Sequence, residues 1–384
     1  MKAIRMKPTM LVLLVCGAIS STLLPQQASG AATNPAAYVR SDSVNSVVYR
    51  GIDNHIDELS LPLGGMWEVG DLSVKTGAPP AAGDPFGYVR CDSVNSVVYR
   101  GIDNHIHELS LPLGGSWGGG DLSVLTGAPP ADGDPAGYCR SDKVSSVVYR
   151  GIDNHIHELY LRSGGSWHIG DLSARAGAPP AAGNPAAGVR SDGVNHVVYL
   201  GFDNDIHELY LAGGSWLHGD LSAKTGAPPA AGDPAAYRRS DNVNSVLYRG
   251  FDNDIHELYL PLGGSWLHGD LSVKTGAPPA AGDPAACVRS DHVNHVAYRG
   301  FDNDIHELYL PLGGSWHHGD LSVQTGAPPA AGDPATYRRS DNVNSVLYRG
   351  LDNDINELYL PLGGSWNIGN LSDRTGAPPA NRSM

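Results

Sequence analysis

The strongest constraint on this chain is a phrase of about 50 residues that occurs seven times. One tryptophan marks each copy, and successive tryptophans are separated by 50, 50, 49, 50, 50 and 50 residues. The short interval reflects a deletion in the fourth copy, where Leu211 is followed directly by Ala212-Gly213-Gly214. Turns tolerate such a loss, so one repeated architecture must explain the fold.

Each copy reads as four short β-strands. In the first copy we predict strands at 37–41, 46–52, 55–61 and 66–70, where β-branched and aromatic residues stand between glycine- and asparagine-containing turns. Asp53-Asn54 suits the tight turn of a β-hairpin. The connection 71–85 contains two adjacent prolines and a further Asp-Pro, so we expect a loop with no helix and no interior strand.

Four antiparallel strands per copy are typical of a β-propeller blade. A small sheet that is apolar on both faces needs a neighbour on each side. We therefore predict an all-β, seven-bladed β-propeller of four-stranded antiparallel blades, closed by face packing without a shared strand. An open solenoid is the alternative, but the first and last copies lack the polar caps that it needs. The predicted blades are about 36–85, 86–135, 136–185, 186–234, 235–284, 285–334 and 335–384.

The N-terminus has the features of a secretory signal peptide. Three basic residues precede an apolar run over 10–24, and Ala28-Ser29-Gly30 offers small residues for cleavage. We predict a signal peptide over 1–30, a propeller over 31–384, and a secreted or extracytoplasmic location. No later apolar stretch is long enough to span a bilayer, so we expect no membrane span.

The charge of the chain argues against nucleic acid as a partner. There are 26 basic and 40 acidic residues, a net charge of −14. Such a chain repels phosphate backbones, and the sequence contains no basic patch that would reverse this effect.

Three cysteines lie outside the predicted leader, at Cys91, Cys139 and Cys287. The corresponding positions of other copies carry serine, valine or tyrosine. We interpret the cysteines as scattered replacements, not as a disulfide framework, and expect the fold not to need them.

The repeated distribution of polar residues favours binding over catalysis. A catalytic centre is one asymmetric constellation, whereas every candidate acid, base or donor recurs about once per copy. We predict a non-catalytic protein without a cofactor that presents several similar sites. A propeller glycosidase or lyase would need an acid pair that stands apart from the repeat, and we find none in the sequence.

The candidate ligand-binding residues form three columns of the repeat. A carboxylate on the third strand can accept paired hydrogen bonds from sugar hydroxyls, while an aromatic face covers the apolar side of a sugar ring. Alternatively, the glutamates fix the blade through a salt bridge or backbone bond, and the tryptophans are large residues wedged between adjacent blades. The candidates are Glu58, Glu108, Glu158, Glu208, Glu257, Glu307 and Glu357; Trp67, Trp117, Trp167, Trp216, Trp266, Trp316 and Trp366; and Arg40, Arg90 and Arg140 at the end of the first strand.

Pairs of histidines raise the question of a metal. His105 and His107 project from the same side of one strand, a spacing that can serve a metal ion. Later copies carry aspartate in place of the first histidine, at Asp205, Asp254 and Asp304. A structural metal would not tolerate this variation, so we interpret the histidines as exposed residues and predict no metal site.

The run Val98-Tyr99-Arg100-Gly101-Ile102-Asp103-Asn104, the following Ile106-His107-Glu108 and the Gly-Ser-Trp of the fourth strand resemble the repeat of fucose-binding propeller lectins. That family has bacterial seven-bladed and fungal six-bladed types, and the resemblance covers all seven copies. In the fungal type, an arginine twelve residues before the glutamate holds the sugar with it, beside aromatic side chains. This chain keeps Glu108 but has Ser96 at the arginine position, Leu111 at an aromatic position and Arg90 where tryptophan is expected. The blade architecture therefore matches better than the sugar site.

These observations predict an exported, multivalent, lectin-like protein whose partners are glycans or glycoconjugates, bound at repeated sites between or on blades. A protein–protein interaction scaffold without sugar binding is the main alternative.

Overall fold

The computed structural model describes residues 34–381. These residues form seven four-stranded antiparallel sheets, and in every sheet the spatial order of the strands follows their order in the chain. The prediction of a seven-bladed β-propeller without a shared strand is confirmed. The predicted signal peptide lies outside the described residues. Within residues 34–381, no helix has the length and apolar character needed to cross a membrane.

The elements are, in blade 1, β1 (Ala36–Val39), β2 (Asn45–Arg50), β3 (Ile56–Leu61), β4 (Glu68–Asp71) and α1 (Leu72–Thr76); in blade 2, β5 (Phe86–Val89), β6 (Asn95–Arg100), β7 (Ile106–Leu111), β8 (Gly118–Asp121) and α2 (Leu122–Thr126); in blade 3, β9 (Ala136–Cys139), β10 (Val144–Arg150), β11 (Ile156–Arg162), β12 (Trp167–Asp171) and α3 (Leu172–Ala176); in blade 4, β13 (Ala186–Val189), β14 (Asn195–Leu200), β15 (Ile206–Ala212), β16 (Ser215–Asp220) and α4 (Leu221–Thr225). In blade 5 they are β17 (Ala235–Arg238), β18 (Asn244–Arg249), β19 (Ile255–Leu260), β20 (Leu267–Asp270) and α5 (Leu271–Thr275); in blade 6, β21 (Ala285–Val288), β22 (Asn294–Arg299), β23 (Ile305–Leu310), β24 (His317–Asp320) and α6 (Leu321–Thr325); in blade 7, β25 (Ala335–Arg338), β26 (Asn344–Arg349), β27 (Ile355–Leu360), β28 (Asn367–Asn370) and α7 (Leu371–Thr375).

The hairpin between the second and third strands depends on the Asp-Asn turn. In blade 1, Asn54 has a φ of 66°, and its N–H donates to the carbonyl of Gly51 at 2.9 Å. Asparagine tolerates this left-handed conformation better than most residues. The turn sets the register, in which Val48 lies opposite Glu58.

The connection after the fourth strand contains a helix, so the expectation of a pure loop over 71–85 was wrong. Asp71 caps α1 through a 2.7 Å hydrogen bond from the N–H of Val74 to Oδ1. Gly77 ends the helix with a φ of 66°. The adjacent prolines follow only after this glycine, so they restrict the later part of the connection alone. The helix places Leu72, which is fully buried, between two blades.

The hydrophobic core lies between blades, divided into seven clusters that each join two neighbours. Between blades 1 and 2, Val48 and Ile56 pack with Val97, Tyr99 and Leu109, and all five side chains are fully buried. Burial of each such side chain stabilises the fold by roughly 1.5–3 kcal/mol. Because each cluster needs two blades, a single blade has no complete core of its own.

The ring closes between blade 7 and blade 1 with the same contacts as elsewhere. Tyr49 of blade 1 packs with Leu347 and Ile355 of blade 7, and its hydroxyl donates to the carbonyl of Pro378 at 2.8 Å. Between blades 1 and 2, the hydroxyl of Tyr99 donates to the carbonyl of Pro79 at the same distance. The predicted closure by face packing is therefore confirmed.

The first strands surround a central channel of about 430 Å³. A polar residue lies shortly before each of these strands, at Asn34, Asp84, Asp134, Asn184, Asp233, Asp283 and Asp333; the first five line the channel. The ring is linked by hydrogen bonds from one backbone to the next side chain, such as that from the Asn184 N–H to Asp233 Oδ1 at 2.9 Å. These hydrogen bonds therefore connect neighbouring blades just before their first strands.

Cys91 and Cys139 form a disulfide bond, with Cα atoms 5.1 Å apart. Our interpretation of all three cysteines as scattered replacements was therefore wrong for this pair. Cys91 follows β5 of blade 2 and Cys139 ends β9 of blade 3, so positions 48 residues apart in sequence meet across a blade interface. Cys287 is free and half-buried.

Candidate functional site

The three columns of predicted ligand-binding residues meet at the blade interfaces. The arginine after the first strand and the glutamate of the third strand belong to one blade, and the tryptophan belongs to the next. At the interface of blades 2 and 3, these residues are Arg90, Glu108 and Trp167. We call this group the Arg–Glu–Trp cluster.

The glutamates are buried, with relative exposures of 1–5%. Glu108 Oε1 accepts a 2.7 Å hydrogen bond from the hydroxyl of Ser96 and a 3.3 Å hydrogen bond from Arg90 Nη1. The same arginine contact has N···O distances of 3.4 Å for Glu58, 3.1 Å for Glu158, 3.3 Å for Glu208, 3.3 Å for Glu257, 3.9 Å for Glu307 and 3.4 Å for Glu357. The carboxylates therefore fix the arginines within their own blades, which was the structural alternative considered for this column.

Burial dominates the electrostatics of the carboxylates. It raises the pKa of Glu108, Glu158, Glu257 and Glu357 above the usual range, although the neighbouring arginine opposes the shift in each case. A carboxylate that is costly to bury persists because it is paired and hydrogen-bonded.

The arginines lie between two acids and an indole ring. Arg40 contacts Asp42 at 2.6 Å on one side and Glu58 at 3.4 Å on the other, and its side chain is 12% exposed. Its guanidinium carbon is 5.9 Å from the ring centroid of Trp117 in the next blade. Equivalent arginine–tryptophan pairs are Arg90–Trp167, Arg140–Trp216, Arg239–Trp316 and Arg339–Trp67, at 5.6–5.9 Å.

The tryptophans pack against the interblade clusters, which agrees with the wedge that we considered as their alternative role. Trp117 is half-buried against the cluster shared by blades 1 and 2. Trp216 is 6% exposed. It lies in the blade whose glycine turn is one residue shorter, where the fourth strand begins earlier and pairs Trp216 with Leu211. Six of the seven indoles are thus partly exposed, and four of these six, Trp67, Trp117, Trp167 and Trp316, lie beside an arginine.

Clefts lie at the blade interfaces, where the sequence predicted sites between or on blades without defining their shape. One of about 510 Å³ lies between Pro129 of blade 2 and His157, Asp171 and Arg175 of blade 3. A second, of about 200 Å³, lies between Pro79 of blade 1 and His107 and other residues of blade 2. The repeat contains these residues, but only the packing of blades brings them to one concave surface.

The second histidine of the repeat is buried, so the interpretation of this column as exposed was wrong. His107 and His157 are 5% and 3% exposed. The His107 ring stacks on Tyr99 with centroids 5.4 Å apart, and its Nε2 lies 3.1 Å from Asp103 Oδ1. The first histidine is less buried, and His105 Nδ1 lies 2.8 Å from Asp121 Oδ2. The histidines therefore tie the hairpin turn to the end of the fourth strand.

No family model and no curated protein matches the chain. Among solved structures, BP39L lectin from Burkholderia pseudomallei superposes with a TM-score of 0.68 at 15% identity, over 88% of this chain and 98% of that chain. AofleA from Arthrobotrys oligospora gives 0.50 at 14% identity, over 88% and 86%. A variant of Aleuria aurantia lectin in complex with alpha-methyl-L-fucoside gives 0.50 at 14% identity, over 92% and 96%.

The chain is thus a seven-bladed β-propeller similar in fold to propeller lectins. This confirms the architectural part of the resemblance that we drew from the repeat. At 14–15% identity, the likeness concerns the fold.

Proposed function

We propose that this protein is an exported, non-catalytic, multivalent glycan-binding propeller, with the Arg–Glu–Trp clusters as its repeated sites. The observation that carries the proposal is the recurrence of a guanidinium, held by a buried carboxylate, against the indole of the next blade. A guanidinium donates hydrogen bonds to sugar hydroxyls, and an indole covers the apolar face of a sugar ring. The fold likeness to Aleuria aurantia lectin, which is in complex with alpha-methyl-L-fucoside, supports a fucoside as the first ligand to test.

The arginine in this proposal lies just after the first strand. The fungal lectin pattern places it twelve residues before the glutamate, where this chain has Ser96. Here the Ser96 hydroxyl and Arg90 Nη1 both contact Glu108 Oε1. Arg90, at the end of the first strand, therefore supplies the guanidinium that the fungal pattern places at the position of Ser96. This contact supports sugar recognition by an arginine and a glutamate, with the arginine in a different position.

Several weak sites on one ring would act together on a decorated surface. Linking sites raises avidity by about 10²–10⁴ without new contacts, provided that the sites engage simultaneously. We therefore expect much tighter binding to a glycan-coated surface than to free sugar.

A glycan array tests the proposal with three proteins. The first is the unchanged chain, and the second carries Glu→Gln in all seven clusters. The third is a control in which Arg100 and its five counterparts become leucine, as Leu200 already is in blade 4. We expect the first and third proteins to bind and the second to lose binding. Binding that survives the glutamine substitutions would remove the glutamates from the site, and no binding to any glycan would favour the interaction scaffold.

The scaffold is supported by one specific observation, the burial of the glutamates in contacts within their own blades. It predicts that the glutamine variant loses stability and that no glycan binds. A further variant, His157→Ala, changes the cleft of about 510 Å³ and leaves the Arg–Glu–Trp clusters intact. If this variant loses glycan binding and the glutamine variant does not, the ligand binds in the interblade clefts.

Export is tested by expressing the full chain with its N-terminus intact. We expect a mature protein that begins near residue 31 in the exported fraction, identified by its mass. Retention of residues 1–30 would contradict the signal peptide.

A further inference from the structure

The buried histidine of the third strand binds the turn aspartate through one ring nitrogen in blades 2–6. In blade 3, His157 Nε2 lies 3.0 and 3.1 Å from the two carboxylate oxygens of Asp153, so Nε2 donates to this carboxylate. In the neutral imidazole, the other nitrogen, Nδ1, is then an acceptor. The group that meets this acceptor differs from blade to blade.

Blades 4–6 supply a donor to the acceptor from a second histidine, on the fourth strand. His207 Nδ1 lies 3.1 Å from His218 Nε2. The same contact occurs at 3.1 Å and 3.2 Å in the pairs His256–His268 and His306–His318. A donor at this position of the fourth strand therefore reaches Nδ1 in three blades.

Blade 3 lacks that donor. Ile169 stands at the position of His218 and has no polar side-chain atom. His157 is 3% exposed, and its Nδ1 is buried without a hydrogen-bond partner among residues 34–381. An unpaired buried acceptor is unfavourable, so a ligand that brings a donor to Nδ1 would replace the missing imidazole.

The cleft of about 510 Å³ between blades 2 and 3 is lined by this histidine. Its volume lies in the range of clefts that hold small ligands, about 300–1,000 Å³. Pro129 and Ile169 give it apolar surface. The cleft includes Asp171, at one end of β12, whereas Trp167 begins that strand. The two ends are about 13 Å apart at 3.3 Å per residue, so the cleft is separate from the Arg–Glu–Trp cluster of this interface.

Arg175 gives the cleft a positive charge. Its Nη1 lies 3.1 Å from the point that a Cβ on Gly170 would occupy, which places the guanidinium beside the fourth strand. Asp171 also lines the cleft but has other partners, since its Oδ2 lies 2.8 Å from His155 Nδ1 and its Oδ1 accepts the N–H of Ala174 at 2.8 Å. Within the part of the chain that the structure describes, Arg175 forms no ion pair. A guanidinium in this state can bind a carboxylate through two parallel hydrogen bonds.

We propose that the cleft of blade 3 binds an acidic monosaccharide, such as a uronic acid. Arg175 binds the carboxylate, and a ring hydroxyl donates to His157 Nδ1. The apolar face of the sugar ring lies against Pro129. The side chain of Ile169 moves aside, because the hydroxyl takes the place that an imidazole N–H has in blades 4–6.

Among the seven blades, only blade 3 combines the unpaired histidine with an arginine. Blade 2 keeps the histidine but has Leu125 in place of the arginine. Blades 4–6 fill the acceptor with their own second histidine. Blades 1 and 7 replace the first histidine with Asp57 and Asn356. We therefore expect one such site per chain, and it does not depend on sugar binding at the Arg–Glu–Trp clusters.

The test is an NMR titration of the full chain with methyl β-D-glucuronide and, as the neutral counterpart, methyl β-D-glucoside. The unchanged chain should bind the glucuronide about 10-fold more tightly than the glucoside, because a hydrogen bond to a charged group discriminates by at least this factor. Arg175→Gln, which copies Gln324 of blade 6, should abolish this preference.

Two substitutions at position 169 should change the affinity in opposite directions. Ile169→His supplies the imidazole of blades 4–6 and should weaken glucuronide binding by about 10-fold or more, with the fold retained because three blades already have this pair. Ile169→Gly copies Gly119 of blade 2 and should tighten binding, since no side chain then has to move. Ile368→His, at the same position of blade 7, is the matched control and should leave the affinity unchanged.

Three results would overturn the proposal. The first is that neither the unchanged chain nor Ile169→Gly binds the glucuronide at millimolar concentration. The second is that Ile169→His binds it as tightly as the unchanged chain, and the third is that glucoside and glucuronide bind equally well. Glycan binding at the Arg–Glu–Trp clusters should be the same in all of these variants, so failure here leaves that proposal standing. If the sevenfold Glu→Gln protein loses glucuronide binding, the sugar acid binds at the clusters and the blade 3 site is wrong.

Discussion

The guanidinium carbon of Arg90 in blade 2 lies 5.6 Å from the ring centroid of Trp167 in blade 3. Arg90 also contacts Glu108 within its own blade, so this side chain connects the polar pair of one blade to the indole of the next. The contact places charge, hydrogen-bond donors and an aromatic face at one blade interface, which is the basis of the proposed sugar site.

A double-mutant cycle of Arg90→Leu and Trp167→Leu should reveal this contact as a coupling free energy. We expect about 0.5–1 kcal/mol, the usual range for a partly exposed cation–π pair. Urea unfolding of the four proteins measures it. Arg100→Leu with Trp167→Leu is the control and should show no coupling. Additive effects of the Arg90 and Trp167 substitutions would contradict an energetic contact.

The disulfide between Cys91 and Cys139 should stabilise the protein without being required for its fold. Replacing the cysteines with the residues of blade 1, as Cys91→Ser and Cys139→Val, should lower the free energy of unfolding by about 2–4 kcal/mol. The seven interblade cores remain, so the variant should still fold. A reducing agent should lower the melting temperature of the unchanged chain and leave that of the double variant unaltered. Equal sensitivity of both proteins would assign the effect to another group.

Local signals in the sequence were sufficient to predict the ring of seven blades. The tryptophan recurs once per repeat and the Asp53-Asn54 turn lies within one repeat. Asn54, in the predicted tight turn, has a φ of 66°. Contacts between repeats were harder to predict from the sequence. Cys91 and Cys139 meet only because neighbouring blades pack at a particular angle. His107 is buried and stacks on Tyr99, although its place in an alternating strand resembles that of an exposed residue.

The helices were missed for a different reason. The prolines of the connection suggested a loop throughout, but the signals for α1 lie before them, in the Asp71 cap and Gly77. The Arg–Glu–Trp cluster was only partly predictable. Its members were selected from the repeat, but the contact between Arg90 and the next blade requires the ring.

His295 should make stability depend on pH in the alkaline range. It replaces the serine found in most blades, is 1% exposed, and places Nε2 3.1 Å from Glu307 Oε2. Burial lowers the pKa of His295, but interactions with Cys287 and Glu307 outweigh this effect and raise the pKa to about 9. A raised pKa means that the protonated form stabilises the folded state. This contribution is complete below about pH 6.5 and is lost as the pH rises through about 9.

The variant His295→Ser restores the common residue and isolates this contribution. The stability difference between the unchanged chain and the variant should fall by about 1–3 kcal/mol between pH 6 and pH 10. Chemical unfolding at several pH values measures it, and Ser245→Ala at the same position of blade 5 serves as a control without a titrating group. A difference that is constant over this range would show that His295 does not change its charge there.

Leu200 leaves one carboxylate of the channel ring without the arginine that its counterparts have. Arg100 Nε lies 4.0 Å from Asp134 Oδ1, and Arg249 Nε lies 3.7 Å from Asp283 Oδ1. The corresponding position beside Asp233 is Leu200. Burial and the charge of Asp283 raise the pKa of Asp233. Ionisation of Asp233 therefore costs more in the folded state than in the unfolded state.

Asp233→Asn should raise the melting temperature at pH 8 by about 1–2 °C. The amide keeps the oxygen that accepts the N–H of Asn184, and asparagine already occupies this column at Asn184. The sign follows from the raised pKa: the cost of ionisation is present above that pKa and disappears as the carboxyl becomes protonated in both states. The gain should therefore vanish at about pH 4. Leu200→Arg, which supplies the missing guanidinium, should also raise the melting temperature at pH 8. It does so by stabilising the ionised carboxylate, whereas Asp233→Asn removes the charge. A loss of stability in both variants at pH 8 would show that Asp233 is not a source of repulsion in the ring.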